Sequence, residues 1–185
     1  MNDENTALGW VPVEGRGSLP FALVHGESLV AAASWALGEA GVVLFDASVT
    51  FDQVRRSGRA LVLHDPLCPL TPVDFLVEAV DRCEQTGAVV VGSRPVTDTV
   101  KRIEADHLGE TVARTDLRAV VSPVVVPPAV LADLERLDST DFPALVEELA
   151  GKAEVVWLEA PPLARRVRDE HDLADLEALS RAESS

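Results

Sequence analysis

Hydroxyl and basic side chains are concentrated in a nine-residue run, 94–102, that directly follows the apolar, strand-like run 88–91. Thr97, Thr99 and Lys101 lie inside it. Hydroxyl donors and fixed positive charges are the groups that bind phosphate. The run therefore predicts a phosphate-binding segment. The alternative is an exposed hairpin whose polar side chains are simply solvated.

A second segment, Glu14-Gly15-Arg16-Gly17, has the glycines of a phosphate-binding loop. Backbone N–H groups of such loops can cradle phosphates, although a short Gly-x-Gly is also common in ordinary turns. Glu14 would place a negative charge beside any bound phosphate. We interpret this segment as a nucleotide-binding loop with a weakened affinity for phosphate.

Asp65 follows the apolar run 61–63 at what should be the end of a strand. Ligands of α/β proteins bind at the carboxyl ends of strands, so Asp65 is a candidate site residue. The alternative is a turn or capping acid before Pro66. Later in the chain, Arg165, Arg166 and Arg168 form either a solvated run or a cationic rim over a pocket, and the sequence leaves both open.

Length and composition narrow the classes of protein. A chain of 185 residues with 47% hydrophobic residues fits one folded domain, 1–185. The net charge of −15 argues against nucleic-acid partners, which require a basic face. No apolar run reaches membrane-spanning length, and the start is not that of a signal peptide. Two cysteines without metal-ligand spacing indicate neither a disulfide scaffold nor a zinc site, so we expect a cytoplasmic protein without membrane contacts.

Short apolar runs alternate with longer amphipathic ones, which predicts an α/β fold with a mainly parallel sheet. Between residues 45 and 60 there is room for one short helix at most. Strands are predicted at 8–13, 42–45, 60–63, 88–91, 119–121 and 155–158, and helices at 28–39, 72–85, 127–137, 142–150 and 170–182.

Residues 93–118 differ from this pattern. Two polar, β-prone pieces, 96–103 and 110–114, are joined around Leu108-Gly109, which predicts a hairpin arm projecting from the sheet. An isolated hairpin is marginal in water, so such an arm usually packs on something else, often a second subunit. We therefore expect a dimer through the arm.

From Ala60 onward the chain resembles the 2-C-methyl-D-erythritol 4-phosphate cytidylyltransferase family. The resemblance implies a Rossmann-like, three-layer nucleotidyltransferase fold that dimerises through the arm. It also implies an enzyme that uses CTP and Mg²⁺, in which a sugar-alcohol phosphate attacks the α-phosphorus and pyrophosphate leaves. The motifs that carry it are Leu61-Val62-Leu63-His64-Asp65, the run 95–102, Thr111-Val112-Ala113-Arg114, Thr140-Asp141, 144–147 and Asp172-Leu173.

The resemblance implies a sugar-alcohol-phosphate site, and this chain matches the family pattern better at that site than at the nucleotide site. Asp65 would hold the sugar alcohol or a magnesium ion. Arg114 would reach the phosphate from the partner's arm. Ser122 stands in the place of a threonine and Arg166 in the place of a lysine, which keeps the charge but not the geometry. The predicted phosphate-binding residues are Asp65, Thr97, Thr99, Lys101, Arg114, Ser122 and Arg166.

The nucleotide side departs from the family pattern. Gly15, Arg16 and Gly17 match its glycine-rich loop, but Phe21 stands where the family has a lysine and Cys68 where it has an arginine. The family's second nucleotide loop is missing from the short stretch 46–59. These changes predict impaired CTP binding.

Three functions follow as hypotheses. The leading one is an inactive or regulatory paralogue that keeps a pocket for a small phosphorylated ligand. It would act as a homodimer or as a heterodimer with an active homologue. The second is a working nucleotidyltransferase that uses Mg²⁺ and relies on Arg16 and Arg166 for the missing cations. The third is a structural dimer with a vestigial pocket.

Overall fold

The computed structural model describes residues 6–46, 48–95, 103–104, 107–108, 118–137 and 140–183. A six-stranded sheet forms its centre, in the order β10-β6-β9-β5-β1-β4. Two further strand pairs, β2–β3 and β7–β8, lie apart from this sheet. The strands are β1 Leu8–Trp10, β2 Leu23–Val24, β3 Glu27–Ser28, β4 Val43–Leu44, β5 Leu61–Leu63, β6 Val89–Pro95, β7 Ile103–Glu104, β8 His107–Leu108, β9 Arg118–Val126 and β10 Val155–Glu159.

Helices connect the strands and cover the sheet. The short helix expected between residues 45 and 60 is present as α2, and Thr50 caps it with a capping box formed with Gln53. The helices are α1 Leu29–Glu39, α2 Phe51–Arg56, α3 Val73–Thr86, α4 Pro128–Asp133, α5 Phe142–Ala150 and α6 Glu170–Glu183, with single 3₁₀ turns at Leu19–Phe21 and Pro162–Ala164.

The central strands are buried on both faces, which explains their unbroken apolar sequences. Successive side chains of a strand point to opposite faces. In β5, Leu61 and Leu63 therefore pack in a core shared with α4 and α5, whereas Val62 packs with α1 and α3. The valines of β6 and β9 divide between the two cores in the same way. These two cores confirm the predicted three-layer α/β fold.

The sheet is mixed but mainly parallel. β1 runs parallel to both β4 and β5, and β10 runs parallel to β6. Only β9 within this sheet is antiparallel, and it lies between β5 and β6. The carboxyl ends of β5 and β6 therefore meet the first half of β9, and this edge carries the candidate site.

Several element boundaries differ from the sequence prediction: β1 ends at Trp10 instead of residue 13, and β6 continues to Pro95 instead of ending at residue 91. β9 continues to Val126 instead of ending at residue 121, although Pro123 has no N–H for a ladder. The strand tolerates this proline because the pairing of β9 with β6 is irregular there, between Val91 and Ser93. Helix α4 ends at Asp133, four residues before the predicted end, because Leu134 is extended and buried.

The predicted arm falls largely outside the described residues. Within it, Ile103 pairs with Leu108 and Glu104 with His107 in an antiparallel ladder. This ladder belongs to the part of the arm that the structure describes, and the connection predicted around Leu108-Gly109 stays a prediction because Gly109 and its neighbours lie outside the described residues. No helix in the described part of the chain is long and apolar enough to span a membrane.

Candidate functional site

Asp65 lies directly after β5 and is the centre of the site. One carboxylate oxygen, Oδ1, accepts a hydrogen bond from Arg16 Nε at 2.8 Å, and the other, Oδ2, accepts one from Arg166 Nε at 2.8 Å. Oδ1 also accepts the backbone N–H of Leu67 at 3.0 Å. A turn after β5 thus fixes the carboxylate between two guanidinium groups from distant parts of the chain.

Arg16 is held almost entirely inside the protein. Its side chain is 5% exposed. Its Nη1 donates to the Glu14 carbonyl and its Nη2 to the Thr140 carbonyl, each at 2.8 Å. The guanidinium carbon also lies 5.6 Å from the ring centroid of Phe142, a distance at which a cation–π attraction operates. Arg16 therefore fastens the 14–17 loop to the ends of β5 and α5.

Arg166 is far more open than Arg16, with a side chain that is 42% exposed. Apart from the Nε contact with Asp65, its guanidinium nitrogens have no hydrogen-bond partner among the residues that the structure describes. Two terminal nitrogens with four N–H donors thus remain for a ligand. Planar guanidinium groups suit phosphate oxygens because two parallel N–H bonds can form.

The segment that carries Arg166 is fastened on both sides. Arg168 donates to Asp172 Oδ2 through Nε at 2.8 Å and through its backbone N–H at 3.0 Å. Arg165 Nη2 lies 3.3 Å from Asp172 Oδ1. Val167 is buried, and its N–H donates to the Leu67 carbonyl at 2.7 Å. The arginine run is therefore neither solvated as a whole nor a uniform rim, since only Arg166 meets Asp65.

Ser122 and His64 lie beneath the site, and both are fully buried. Ser122 Oγ accepts the backbone N–H of Asp65 at 2.9 Å and is also hydrogen-bonded to His64 Nδ1. Burial lowers the pKa of His64 to about 4, although the neighbouring Asp65 carboxylate opposes this shift. His64 is therefore neutral at neutral pH and acts as part of the support under Asp65.

Asp65 is ionised despite its burial. Burial alone would raise the pKa of the Asp65 carboxyl, but the hydrogen bonds and charges of Arg16 and Arg166 outweigh it and hold the pKa below the ordinary 3.8. The thiol of Cys68, three residues further on, is fully buried, and its burial raises its pKa. Cys68 thus supplies no charge where the resemblance places an arginine.

A cavity of about 170 Å³ opens beside this cluster. Arg16, Arg166 and Asp65 bring two positive charges and one negative charge to it, and Glu14 and Asp141 add two more acidic groups to its lining. The lining residues are Glu14, Gly15, Arg16, Asp65, Val120, Val121, Thr140, Asp141, Phe142, Pro143 and Arg166.

The structure brings together residues that the sequence analysis had assigned to two half-sites. Gly15 and Arg16 from the nucleotide loop line the same cavity as Asp65 and Arg166. Ser122 lies below Asp65 and supports it from inside. Gly17 does not line this cavity. Thr97, Thr99, Lys101 and Arg114 lie outside the described residues, so their roles stay predictions.

Asp65 was also a candidate ligand for Mg²⁺, and its surroundings do not suit that role. Both carboxylate oxygens already accept guanidinium N–H groups, so a metal ion at the remaining lone pair of Oδ2 would lie against two positive charges. In the described part of the chain, no three His, Cys, Asp or Glu side chains lie close enough together to hold a metal ion. Asp65 is therefore a poor metal ligand in this arrangement, because its carboxylate charge is already neutralised by two guanidinium groups.

Phe142 and the Thr140 carbonyl contribute to the site but were not predicted as site residues. The sequence offered a partial signal, because Thr140-Asp141 belongs to the motifs that carried the resemblance. The contact of Arg16 with Thr140 joins residues 124 positions apart, and no local pattern encodes it.

The model of the family described as "IspD: 2-C-methyl-D-erythritol 4-phosphate cytidylyltransferase" matches residues 48–181. The chain belongs to this family. The matched region includes Asp65, Ser122 and Arg166 but not the 14–17 loop.

Among curated members of the family, the 2-C-methyl-D-erythritol 4-phosphate cytidylyltransferase of Saccharopolyspora erythraea is 31% identical over 132 residues, which cover 69% of this chain and 58% of that protein. The Bacillus licheniformis protein of the same name is 26% identical over 141 residues, covering 72% and 60%. The bifunctional enzyme IspD/IspF of Clavibacter michiganensis is 38% identical over 125 residues, covering 64% and 30%. The chain thus spans 60% or less of the length of these relatives.

Solved structures of the family share the fold. The 4-diphosphocytidyl-2C-methyl-D-erythritol synthase of Anaerococcus prevotii superposes with a TM-score of 0.73 at 14% identity, over 97% of both chains. The 2-C-methyl-D-erythritol 4-phosphate cytidylyltransferase of Thermus thermophilus gives a TM-score of 0.65 at 21% identity, over 95% of this chain and 98% of that one. At these identities the match establishes the IspD-like nucleotidyltransferase fold.

Proposed function

We propose that this chain is a divergent IspD-family protein that binds a phosphorylated sugar alcohol but binds CTP poorly. It would act as an inactive or regulatory paralogue of a cytidylyltransferase. The observation that carries this proposal is the position of Arg16. The only cation of the 14–17 loop is 5% exposed and committed to Asp65 and two backbone carbonyls, so it is not free to neutralise a triphosphate.

The rest of the nucleotide side supports the same conclusion. Phe21, at the place of a family lysine, is 59% exposed and carries no charge. Cys68, at the place of a family arginine, is buried. Each charge-assisted phosphate contact is worth about 1.5–3 kcal/mol, so the loss of two cations removes most of the expected CTP affinity. Loss of one such cation lowers phosphoryl-transfer rates by about a thousandfold or more.

The sugar-alcohol-phosphate side keeps its means of binding. Arg166 presents free guanidinium N–H groups next to an ionised Asp65, and the carboxylate is a good acceptor for the hydroxyls of a sugar alcohol. Thr97, Thr99 and Lys101 of the arm, with Arg114 of a second subunit, would complete the phosphate site. A homodimer, or a heterodimer with an active homologue, would therefore be needed to complete the phosphate site.

The second candidate is an active cytidylyltransferase that uses Mg²⁺. One observation favours it. Gly15 and Gly17 have φ values of +76° and +59°, a conformation that glycine adopts easily, so the backbone turn of the nucleotide loop is kept. The third candidate, a structural dimer with a vestigial pocket, requires that no phosphorylated ligand binds at all.

Two measurements separate these functions. The first is calorimetric titration with 2-C-methyl-D-erythritol 4-phosphate, and the second is pyrophosphate release after addition of CTP and Mg²⁺ in the presence of the same sugar-alcohol phosphate. We expect saturable binding and no release above background. Sustained release of pyrophosphate that depends on Arg166 would establish the active enzyme. Absence of sugar-alcohol-phosphate binding under any condition would support the third candidate, the structural dimer with a vestigial pocket.

Two variants test whether the sugar-alcohol phosphate binds at this site. Arg166→Ala should weaken sugar-alcohol-phosphate binding by about tenfold or more, because one charge-assisted contact is lost. Arg56→Ala is the matched control, since the Arg56 side chain is 76% exposed on α2 and does not line the cavity. Equal affinities of the two variants for the ligand would mean that Arg166 does not contact it.

A further inference from the structure

The carboxylate of Asp65 already has the positive charge that a divalent cation would supply. Arg16 and Arg166 each donate to a different oxygen at 2.8 Å, so two unit charges face one carboxylate. The Asp65 side chain is 3% exposed, which leaves little of either oxygen open to solvent. A bound Mg²⁺ requires near-ideal octahedral geometry at about 2.0–2.1 Å from its oxygen ligands.

The two arginines differ in how easily they could leave. Arg16 is fixed by the carbonyls of Glu14 and Thr140 and by the ring of Phe142. Arg166 is 42% exposed and is fastened to Asp65 by one nitrogen. A metal ion at the remaining lone pair of Oδ2 would be repelled by both guanidinium groups, and if it displaced Arg166 the site would lose its exposed cation.

We infer that Arg16 and Arg166 take the place of a divalent cation at Asp65, so that this site binds its phosphorylated ligand without metal. The ligand part of this inference rests on the proposed function. The metal part rests only on the two guanidinium contacts and can be tested without any ligand. A fixed guanidinium also presents a planar pair of donors to phosphate, which a hydrated ion does not.

The first test measures the affinity for 2-C-methyl-D-erythritol 4-phosphate by calorimetry, once with excess EDTA and once with excess Mg²⁺. We expect the two dissociation constants to agree within about twofold, well below the tenfold change that corresponds to one charged contact. A loss of about tenfold or more in EDTA would overturn the inference. Absence of binding in both conditions would refute the proposed function instead, and the metal part would then be decided by the second test.

The second test uses Mn²⁺ alone, followed by electron paramagnetic resonance, on the wild type, Asp65→Asn and Arg166→Gln. The wild type should bind Mn²⁺ no more tightly than Asp65→Asn. Tighter binding in the wild type would place a metal at Asp65 and overturn the inference. Arg166→Gln frees Oδ2 and should gain Mn²⁺ affinity over the wild type, whereas equal affinity would contradict the role assigned to Arg166. Because Arg166 is partly exposed, this variant should remain folded even if Asp65→Asn does not.

Discussion

The backbone N–H of Asp65 donates to the buried Oγ of Ser122 at 2.9 Å and so joins the end of β5 to the middle of β9. The same Oγ is bonded to His64 Nδ1. Ser122 was expected to contact substrate phosphate directly. Its position indicates that it fixes the peptide before the carboxylate instead, so Asp65 is held from below by a hydroxyl and from the sides by arginines.

His64 should make the protein less stable as the pH falls from about 6.5 to 4. Its pKa is lowered from 6.5 to about 4 in the folded state, so between these pH values the unfolded chain binds a proton that the folded chain does not. The resulting loss is about 3 kcal/mol once the pH lies below both values. Urea unfolding at several pH values should show this slope.

The matched variants are His64→Asn and His171→Asn. Asparagine at position 64 keeps a partner for Ser122 Oγ without titrating, so the slope should flatten. The His171 side chain is 87% exposed, and its substitution should leave the slope unchanged. An unchanged slope in His64→Asn would mean that another group controls the acid sensitivity.

Asp65→Asn should lower the free energy of unfolding by about 3–5 kcal/mol, because it leaves the buried Arg16 charge without its counterion. The melting temperature should fall by about 2–4 °C for each kcal/mol. Asp52→Asn is the control: it removes an acid that also pairs with two arginines but lies on the surface of α2, and a small change is expected. Similar decreases in the free energy of unfolding of both variants would contradict the stabilising role assigned to the buried pair of Asp65 and Arg16.

The pH dependence of this pair has a defined sign. The folded pKa of Asp65 lies below its ordinary 3.8, so its contribution is present above about pH 4 and is lost as the pH falls further. The difference in stability between the wild type and Asp65→Asn should therefore shrink only below about pH 4. A difference that already shrinks near neutral pH would contradict this assignment.

Gly92→Ala should destabilise the junction of β6 and β9. A Cβ at position 92 would lie 2.6 Å from the Ser122 carbonyl oxygen, too close for backbone atoms that cannot move freely. Overpacking of this kind costs about 1–3 kcal/mol. Gly38→Ala in α1, where a Cβ meets nothing within 4 Å, should instead stabilise by about 0.5–1 kcal/mol. Thermal unfolding of both variants checks the opposite signs.

Asp172→Ala should weaken binding of the sugar-alcohol phosphate although Asp172 does not line the cavity. The carboxylate fastens Arg165 and Arg168 on either side of Arg166, so its loss frees the segment that presents Arg166. The double variant with Arg166→Ala should then bind no more weakly than Arg166→Ala alone. Additive losses would indicate that Asp172 acts only on overall stability.

The two-sided core was predictable from the sequence, because a strand buried on both faces must be continuously apolar, as at Val89-Val90-Val91. The length of β9 was not. The strand was predicted to end at residue 121, and the irregular pairing opposite Gly92 explains why it continues through Pro123. Local sequence contains no information about such a partner strand.

The site was predictable in part for a similar reason. Asp65 could be identified because an acid at a strand end is a local feature, and Arg166 because the family resemblance extends to it. The contact of Arg16 with Asp65 spans 49 positions and holds the guanidinium group inside the protein. That arrangement depends on tertiary packing against Phe142, which no pattern within the 14–17 loop encodes.

Strand β4 forms one edge of the sheet and has only two residues, Val43 and Leu44, which are 47% and 40% exposed. An open edge of a sheet is a template on which a foreign strand can add and start aggregation. A two-residue edge offers too few free N–H and C=O groups for such pairing. The shortness of β4 therefore limits strand addition at an edge that exposes apolar residues.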